Sequence, residues 1–347
     1  MPSVFVGMSG GIDSSVAAYL LKREGFDVVG ITFTGVYEEG VKKCCSYEEV
    51  INAKKVCDFL SIPHKTINLK DLFESKIISY FIESYKAGLT PNPCILCNRF
   101  IKFGFLFDYS IAEGADFFAT GHYARIVKKG KDFFIKRGID ESKDQSYFIS
   151  YIEKEKLPYI KLPLGNFYKS EVKKIAEEIN LPLNPNKHES QDICFVPKDY
   201  REFLLKRKVE GVEGNFLYEG KIAGRHRGIP FYSFGQRRGL GISTGKRVFV
   251  RGFNIEKNEI ILGEKPFSRE FFVDNLNVFV ENFEDGEYEV QFRYQSKPEK
   301  CSVNRLCYGI KITLNSPREL VTPGQFAVLY RENMVYLSGV IKEVKLT

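Results

Sequence analysis

The chain has 347 residues, of which 44% are hydrophobic and 27% charged, with a formal net charge of +7. This length predicts two or three domains, and the lack of any apolar run of roughly 18 residues argues against a membrane protein. The eight cysteines are too few and too unevenly spaced for a secreted disulfide scaffold, which indicates a reducing, cytoplasmic location with some reactive thiols.

The first 200 residues alternate short apolar runs with amphipathic helical patterns. Strands are predicted at 3–8, 28–33, 66–69 and 115–120, a hairpin at 123–138 and a capped helix at 170–183. Because strands that alternate with helices usually form a parallel sheet covered on both faces, we predict an α/β fold with a doubly wound parallel sheet over residues 1–200. The first strand has no basic flank and no cleavage site, so it does not resemble a signal peptide.

The pattern changes after residue 200. Residues 201–267 are basic and rich in glycine and predict a small central domain, with a hairpin turned at Lys257 and Asn258. From residue 268 to 347, short strands separated by turn residues predict a C-terminal antiparallel β-barrel. The basic residues of the central domain suit contact with nucleic-acid phosphates; they are Arg237, Arg238, Lys246, Arg247 and Arg251.

The turn after the first strand, "GMSGGIDSS" at 7–15, carries a dense group of small polar residues. A strand that enters a glycine turn and then a helix presents backbone N–H groups and the positive helix end to one point, which favours bound phosphate. The paired glycines leave room for the phosphates and the serines add hydroxyl donors, whereas ionised Asp13 would act through a bridging Mg²⁺. The alternative is a plain glycine turn in which Asp13 or Ser14 caps the helix.

This turn resembles the SGGxDS loop of the PP-loop ATP pyrophosphatases, which split ATP between the α and β phosphates and adenylate a substrate. Six further segments occur in the order found in the bacterial tRNA 2-thiouridylases: "LTPNPCILCNRFIKF" (89–103), "ATGHYAR" (119–125), "SKDQSYF" (142–148), "LPLGNFYKSEVKKIA" (162–176), "ESQDICFVP" (189–197) and "FGQRRGLGI" (234–242). The resemblance covers nearly the whole chain. It implies an ATP-dependent reaction that replaces the C2 oxygen of the wobble uridine (U34) of tRNA with sulfur.

The resemblance also implies a set of site residues. The positions expected to bind ATP are Gly7, Met8, Ser9, Gly10, Gly11, Ile12, Asp13, Ser14, Phe33 and Gly121. The positions expected to contact tRNA are Asn92, Pro93, Cys94, His122, Lys143, Asp144, Gln145, Arg293, Tyr294 and Gln325. ATP and Mg²⁺ are therefore the expected cofactor and metal, and tRNA is the expected partner.

Two cysteines are expected to handle the sulfur. A uridine C2 carbonyl is a poor electrophile until AMP is attached to its oxygen, and a thiolate or persulfide is a better nucleophile than a hydroxyl. The resemblance implies that Cys194 accepts sulfur from a persulfide donor, either a cysteine desulfurase or a sulfur relay protein. It implies that Cys97 then resolves the persulfide through a disulfide with Cys194, while the attacking species, persulfide or released sulfide, stays open.

Cys94 raises alternatives to this relay. Some family members carry an aspartate here, proposed to assist proton transfer, so the cysteine departs from that pattern. With Cys97 and Cys194 it offers three thiolates for an iron–sulfur cluster, or, with His122 or His188 as a fourth ligand, for a structural zinc. Three of the remaining cysteines, Cys57, Cys301 and Cys307, are expected to pack in the core. Cys44 and Cys45 carry no assigned role.

Two rival functions remain open at this point. Other PP-loop adenylating enzymes, such as those that form 4-thiouridine or lysidine in tRNA, share the loop but lack the paired cysteines with the "GHYAR" and "SQDICF" segments. A non-catalytic RNA-binding protein that holds ATP as a structural ligand would leave Asp13 and the two cysteines without a duty. The sequence therefore favours the thiolating enzyme.

Overall fold

The computed structural model describes residues 1–35, 47–184, 193–196, 198–319 and 321–347. Cys44, Cys45 and His188, together with Ser46 of a helix-capping pattern, lie outside these described residues. The chain divides into two compact units. Unit 1 comprises residues 1–77, 94–197 and 332–336, and unit 2 comprises residues 78–93, 198–331 and 337–347.

Unit 1 is built on a five-stranded parallel sheet. Its strands are β1 (Ser3–Gly7), β2 (Asp27–Thr34), β3 (His64–Asn68), β4 (Phe117–Thr120) and β7 (Ile160–Lys161). They lie in the order β3-β2-β1-β4-β7, and every pairing is parallel. The antiparallel hairpin predicted at 123–138 is present as β5 (Ala124–Lys129) and β6 (Asp132–Arg137). The predicted parallel α/β sheet is thus confirmed.

Both faces of this sheet are covered, as β4 illustrates. Phe118 packs edge-on against the rings of Phe103 and Phe107, whose centroids lie 5.9 and 6.2 Å away. The next residue, Ala119, lies in a different buried cluster that includes Val16 of the first helix. Because successive side chains of a strand point to opposite faces, this alternation shows a sheet buried on two sides.

The helices include two π-helical segments that the sequence patterns do not predict. The α-helices are α1 (Ile12–Arg23), α2 (Tyr47–Phe59), α3 (Lys70–Phe73), α4 (Ser79–Lys86), α5 (Pro93–Cys97), α6 (Phe107–Ala112), α7 (Ser146–Ile149), α8 (Lys169–Glu178) and α9 (Tyr200–Lys206). The π-helical segments are Glu74–Ile78 and Asn98–Leu106, and the 3₁₀ turns are Lys154–Tyr159, Pro163–Asn166 and Ile229–Phe231. No helix in the described ranges is long and apolar enough to cross a membrane.

Unit 2 contains a small mixed sheet between residues 214 and 263. Its strands are β8 (Gly214–Tyr218), β9 (Lys221–His226), β10 (Phe249–Asn254) and β11 (Glu259–Gly263), in the order β10-β11-β8-β9. The predicted turn at Lys257 and Asn258 joins β10 and β11, which pair antiparallel. In the same unit α4 and α9 pack through aromatic rings, with Tyr85 stacked on Tyr200 at 4.3 Å.

The rest of unit 2 is a closed antiparallel barrel, as predicted. Its strands are β12 (Phe267–Val278), β13 (Gly286–Gln291), β14 (Glu299–Leu306), β15 (Gly309–Glu319), β16 (Phe326–Arg331) and β17 (Met334–Leu346). The order is β12-β15-β14-β13-β16-β17, and a pairing of β12 with β17 closes the ring. Closure leaves no free strand edge, and Phe271, Phe326 and Tyr330 fill the interior with no solvent exposure.

Gly165 tests how tightly unit 1 is packed. A Cβ atom at this residue would lie 2.0 Å from the carbonyl oxygen of Ala124 in β5. Gly165→Ala should therefore lower the free energy of unfolding by about 1–3 kcal/mol, because backbone must move to relieve the overlap. Gly252→Ala is the matched control, since nothing lies within 4 Å of a Cβ at that residue. Equal stability of the two variants in urea unfolding would contradict the packing described here.

Candidate functional site

A cavity of about 190 Å³ opens where the strand order of the parallel sheet reverses. β2 lies on one side of β1 and β4 on the other, and ligands of open α/β sheets bind at the carboxyl ends of such strands. β1 ends at Gly7 and β4 at Thr120, and both residues line the cavity. The other lining residues are Met8, Ser9, Asp13, Ser14, Ile31, Thr32, Phe33, Glu49, Lys102, Leu106, Phe118, Gly121, His122 and Gln145.

The loop between β1 and α1 is folded by its own serines. Ser14 Oγ accepts a hydrogen bond from the Ser9 N–H at 3.1 Å and donates to the Gly11 carbonyl at 3.1 Å. Gly10 has φ +70°, and a Cβ there would lie 2.4 Å from the carbonyl oxygen of Glu49. Ser15 also donates to the Gly11 carbonyl, at 2.8 Å, and it does not line the cavity. Ser9 and Ser14 are therefore the hydroxyls of this loop that a ligand in the cavity can meet.

The turn after β4 lies directly against this loop. A Cβ at Gly121 would be 2.7 Å from both the Asp13 carbonyl carbon and the Ser14 backbone nitrogen. Only glycine permits this approach, which explains on steric grounds why the "TGHY" segment carries glycine at this place. Of the ten residues predicted to bind ATP, the seven that line the cavity are Gly7, Met8, Ser9, Asp13, Ser14, Phe33 and Gly121, whereas Gly10, Gly11 and Ile12 do not line it.

Asp13 is held by two residues that sequence reasoning missed. Lys169 Nζ donates to both carboxylate oxygens, at 2.7 and 2.8 Å, and the Tyr123 hydroxyl donates to Oδ1 at 2.7 Å. Lys169 is only 9% exposed, and its own backbone N–H donates to Asp140 Oδ2 at 2.9 Å. The carboxylate thus projects into the cavity from a fixed position, backed by a buried cation.

The carboxylates of the cavity are compatible with Mg²⁺ bound together with phosphate. Asp13 and Glu49 both line it, and Mg²⁺ is usually held by one or two carboxylates plus substrate phosphates and water. Within the described ranges no group of three His, Cys, Asp or Glu side chains could hold a metal ion. Protein ligands alone therefore do not complete a metal site in the cavity, and phosphate oxygens would have to contribute.

His122 lies inside the same cavity. It is 9% exposed, its Nδ1 and the Thr120 hydroxyl share a hydrogen bond at 2.7 Å, and its ring packs near Phe103. Burial, assisted by the positive charge of Lys102, lowers the pKa of His122 well below its ordinary value. The imidazole is thus neutral at pH 7, and it borders the cavity.

Asp144 and Gln145, two of the three residues predicted to contact tRNA at 143–145, accept hydrogen bonds within unit 1. Asp144 accepts hydrogen bonds from Gly138 N–H at 2.9 Å and from Ser146 Oγ at 2.7 Å, and its carboxylate is only 6% exposed. Gln145 lines the cavity, and its Oε1 accepts from Tyr123 N–H at 2.9 Å. The Asp144 carboxylate is therefore a structural group of the turn, which leaves Lys143 and Gln145 as the more accessible members.

Cys94 and Cys97 lie on a short helix, α5. In α5 both are partly exposed, whereas Ile95 between them is 0% exposed. Residues three apart share a helix face, so the two sulfurs lie on the same side. Among the described residues no three Cys, His, Asp or Glu side chains are grouped as metal ligands, and the iron–sulfur or zinc role suggested for Cys94, Cys97 and Cys194 stays a prediction.

Cys194 lies in a turn anchored by its neighbour. Phe195 is 1% exposed, and its ring meets Phe73 edge-on with centroids 5.8 Å apart. Cys194 itself is partly exposed. Cys57 and Cys301 are buried, as expected, and burial raises the pKa of each thiol to about 12. Cys307 is exposed, so the prediction that it packs in the core was wrong.

Unit 2 holds the remaining predicted tRNA residues. Asn92 is 9% exposed, and the residues just before it are fixed by Gln325, whose amide donates to the Thr90 carbonyl at 2.9 Å and the Pro91 carbonyl at 3.2 Å. Arg293 and Tyr294 line a separate open cavity of about 520 Å³ on the barrel. Gln325 therefore has a structural contact that the sequence did not reveal.

Three family models match the chain in series. They describe a tRNA methyl transferase HUP domain over residues 2–198, a tRNA methyl transferase PRC-barrel domain over residues 201–264 and an aminomethyltransferase beta-barrel domain over residues 268–341. The first alone covers more than half of the chain.

Relatives match over nearly their full length. The tRNA-specific 2-thiouridylase MnmA of Carboxydothermus hydrogenoformans is 42% identical over 357 residues, which cover 98% of this chain and 97% of the relative. The protein of the same name from Clostridium acetobutylicum is 39% identical over 355 residues, covering 98% and 99%. Among solved structures, a 4-thiouridine synthetase in complex with RNA and bound ATP is 21% identical with a TM-score of 0.39, covering 60% of this chain and 50% of that one.

The buried His122 predicts a specific pH dependence of stability. Its pKa is lowered in the folded protein, so below the ordinary histidine pKa of about 6.5 the unfolded chain binds a proton that the folded chain does not. The free energy of unfolding should therefore fall as pH falls from 6.5 to 5. His122→Gln should reduce this slope by up to about 1.4 kcal/mol per pH unit. Urea unfolding at pH 5, 6 and 7.5 measures it, and identical slopes in both proteins would contradict the assignment.

Proposed function

The chain belongs to the family of tRNA-specific 2-thiouridylases, and from this membership we propose that it replaces the C2 oxygen of the wobble uridine of tRNA with sulfur in an ATP-dependent reaction. The observation that carries the proposal is the cavity at the reversal point of the parallel sheet. It brings residues expected to bind ATP, such as Asp13 and Gly121, next to His122 and Gln145, which are expected to contact tRNA. An adenylating enzyme needs these two groups of residues in one place.

Adenylation is the proposed first step. Backbone N–H groups at the start of α1 and the hydroxyls of Ser9 and Ser14 are suited to hold the phosphates of ATP. Mg²⁺, held by Asp13 with the phosphates, would supply charge neutralisation. The uridine O2 attacks the α phosphorus, the bond to the bridging oxygen breaks, and the electron pair leaves with pyrophosphate. Uridine loses its N3 proton to solvent, so the base becomes a neutral O-adenylated isourea.

Sulfur transfer is the proposed second step. A persulfide on Cys194, supplied by a cysteine desulfurase or sulfur relay protein, attacks C2 through its outer sulfur, and AMP leaves with the C2–O electrons. The Cys97 thiolate then attacks the Cys194 sulfur, so a Cys97–Cys194 disulfide forms and the thiolated base departs with the S–S electron pair. A thiol reductant regenerates both cysteines. Partial exposure of both residues supports access by a donor protein and by tRNA.

RNA binding is proposed to use further residues of the chain. Asn92, Pro93 and Cys94 are proposed to contact the target base, which must leave the anticodon stack to reach the cavity. Arg293 and Tyr294 border the open cavity on the barrel, where a cation and an aromatic ring suit a phosphate and a base. The proposed domains are 1–200 for catalysis, 201–267 as the central domain and 268–347 for tRNA docking, and the proposed location is the cytoplasm, where tRNA is available.

Asp13 provides the first test of adenylation. Asp13→Asn should lower tRNA-dependent release of pyrophosphate by about 100-fold or more, because the charge that would hold Mg²⁺ is lost. It should also lower stability, because Lys169 loses its carboxylate partner. The double variant Asp13→Asn/Lys169→Met should regain stability without regaining pyrophosphate release. Release at the wild-type rate by Asp13→Asn would refute the role of Asp13.

The two cysteines provide the test of sulfur transfer. Cys97→Ser and Cys194→Ser should each abolish 2-thiouridine formation, while pyrophosphate release in the first turnover and tRNA binding stay nearly unchanged. The measurement is nucleoside mass spectrometry of tRNA that lacks 2-thiouridine, incubated anaerobically with protein, ATP, Mg²⁺ and a persulfide donor. Cys307→Ser, at an exposed barrel residue, is the matched control and should stay active. A fully active Cys194→Ser protein would exclude the persulfide role, and AMP formation without thiolation by the wild type would point to another adenylated substrate.

A further inference from the structure

Lys102 lines the cavity at the reversal point of the parallel sheet, and neither the adenylation step nor the sulfur-transfer step assigns it a role. It is five residues after Cys97, in the π-helical segment Asn98–Leu106, and it lines the cavity together with Asp13, His122 and Gln145. π-Helical turns are rare and occur frequently at functional sites. The location of Lys102 in such a segment therefore points to a functional role for this side chain.

The segment that carries Lys102 is anchored on several sides within unit 1. Asn98 Nδ2 donates to the Phe148 carbonyl at 3.0 Å, and Arg99 Nη1 donates to the Tyr151 carbonyl at 2.6 Å. Lys156 Nζ donates to the carbonyl of Phe103, the residue next to Lys102, at 3.1 Å. These bonds fix the backbone on both sides of Lys102, so the lysine stem leaves a rigid segment at a defined point of the cavity wall.

The charge balance of the cavity gives Lys102 a distinct place. Among the described residues that line it, Asp13 and Glu49 are acidic, His122 is neutral at pH 7, and Lys102 is the one Lys or Arg side chain. Lys169 is buried against Asp13 and does not line the cavity. A triphosphate carries several negative charges, and a cation at the wall of a partly enclosed cavity stabilises them more strongly than one in water.

We propose that Lys102 is a catalytic residue of the adenylation step, whose ammonium group contacts the phosphate chain of ATP. It stabilises the negative charge that builds up on the α phosphate and the departing pyrophosphate as the uridine O2–phosphorus bond forms and the phosphorus–bridging oxygen bond breaks. Lys102 keeps its proton throughout and acts by charge alone. This inference rests on the proposed function, because it assumes that the cavity holds ATP.

The competing explanation is that Lys102 serves the fold, for instance by neutralising Glu49. The two explanations differ in ligand specificity. A cation that contacts phosphate matters for a triphosphate and not for adenosine, whereas a structural lysine affects both ligands alike or neither. Calorimetry with adenosine and with a non-hydrolysable ATP analogue in the presence of Mg²⁺ therefore separates them.

The experiment compares Lys102→Met, Lys102→Arg and Lys76→Met, all in the full chain. Lys76 is exposed and does not line the cavity, and its ammonium group lies 5.6 Å from the centroid of the Phe100 ring, so its variant removes the same charge beside the same π-helical segment but outside the cavity. Lys102→Met should weaken binding of the ATP analogue about tenfold, the value of one charge-assisted hydrogen bond, and leave adenosine binding unchanged. It should lower tRNA-dependent pyrophosphate release by about 100-fold or more, since the charge grows in the transition state.

Lys102→Arg keeps the charge and should retain most of the analogue affinity, and Lys76→Met should match the wild type in every assay. Unchanged analogue binding by Lys102→Met, or an equal loss for adenosine and the analogue, would overturn the proposal. If the wild type binds the analogue but releases no pyrophosphate from ATP with tRNA, the proposed function fails. The comparison of analogue and adenosine then still decides whether Lys102 contacts phosphate.

Discussion

The close approach of two backbone segments is the constraint on which the site depends. The loop after β1 and the turn after β4 meet at Gly121, where a single methyl group would overlap the backbone of Asp13 and Ser14. The parallel sheet creates this meeting point because the strand order reverses between the two strands. Everything else in the cavity, including the support of Asp13 by Tyr123 and Lys169, is arranged around these two turns.

Much of the fold could be predicted from local patterns. Apolar runs of β-branched and aromatic residues, each followed by a helical pattern, indicated β1, β2 and β3 and their parallel pairing, and the turn residues at 257–258 indicated the hairpin of β10 and β11. In the barrel, charged residues interrupt the apolar pattern of β12 and β14, so these two strands cannot be identified from local pattern alone. The division into three domains stays a prediction.

The site was only partly predictable, for physical reasons. The glycine and serine pattern of residues 7–15 indicates a phosphate loop by itself, because it specifies local backbone geometry. Lys169 pairs with Asp13 across 156 residues of sequence, and no local spacing distinguishes a buried lysine from the exposed ones around it in α8. The π-helical turns at Lys102 were equally hidden, since the apolar spacing of residues 98–106 also suits an α-helix. The local signal in the sequence is the glycine at 104. A Cβ at this residue would lie 2.6 Å from the Arg99 carbonyl oxygen, so the π-helical turn requires glycine there.

The π-helical segment Asn98–Leu106 restricts which sequence changes the chain can accept during evolution. Cys97 and Lys102 belong to one continuous stretch that joins α5 to the nucleotide cavity, with its backbone fixed by Asn98 and Arg99. Adding or removing one residue there would rotate the sulfur or the ammonium group away from its place by about a quarter of a turn. Point substitutions in this stretch can therefore be accommodated more easily than a change in its length, and insertions should accumulate elsewhere in the chain.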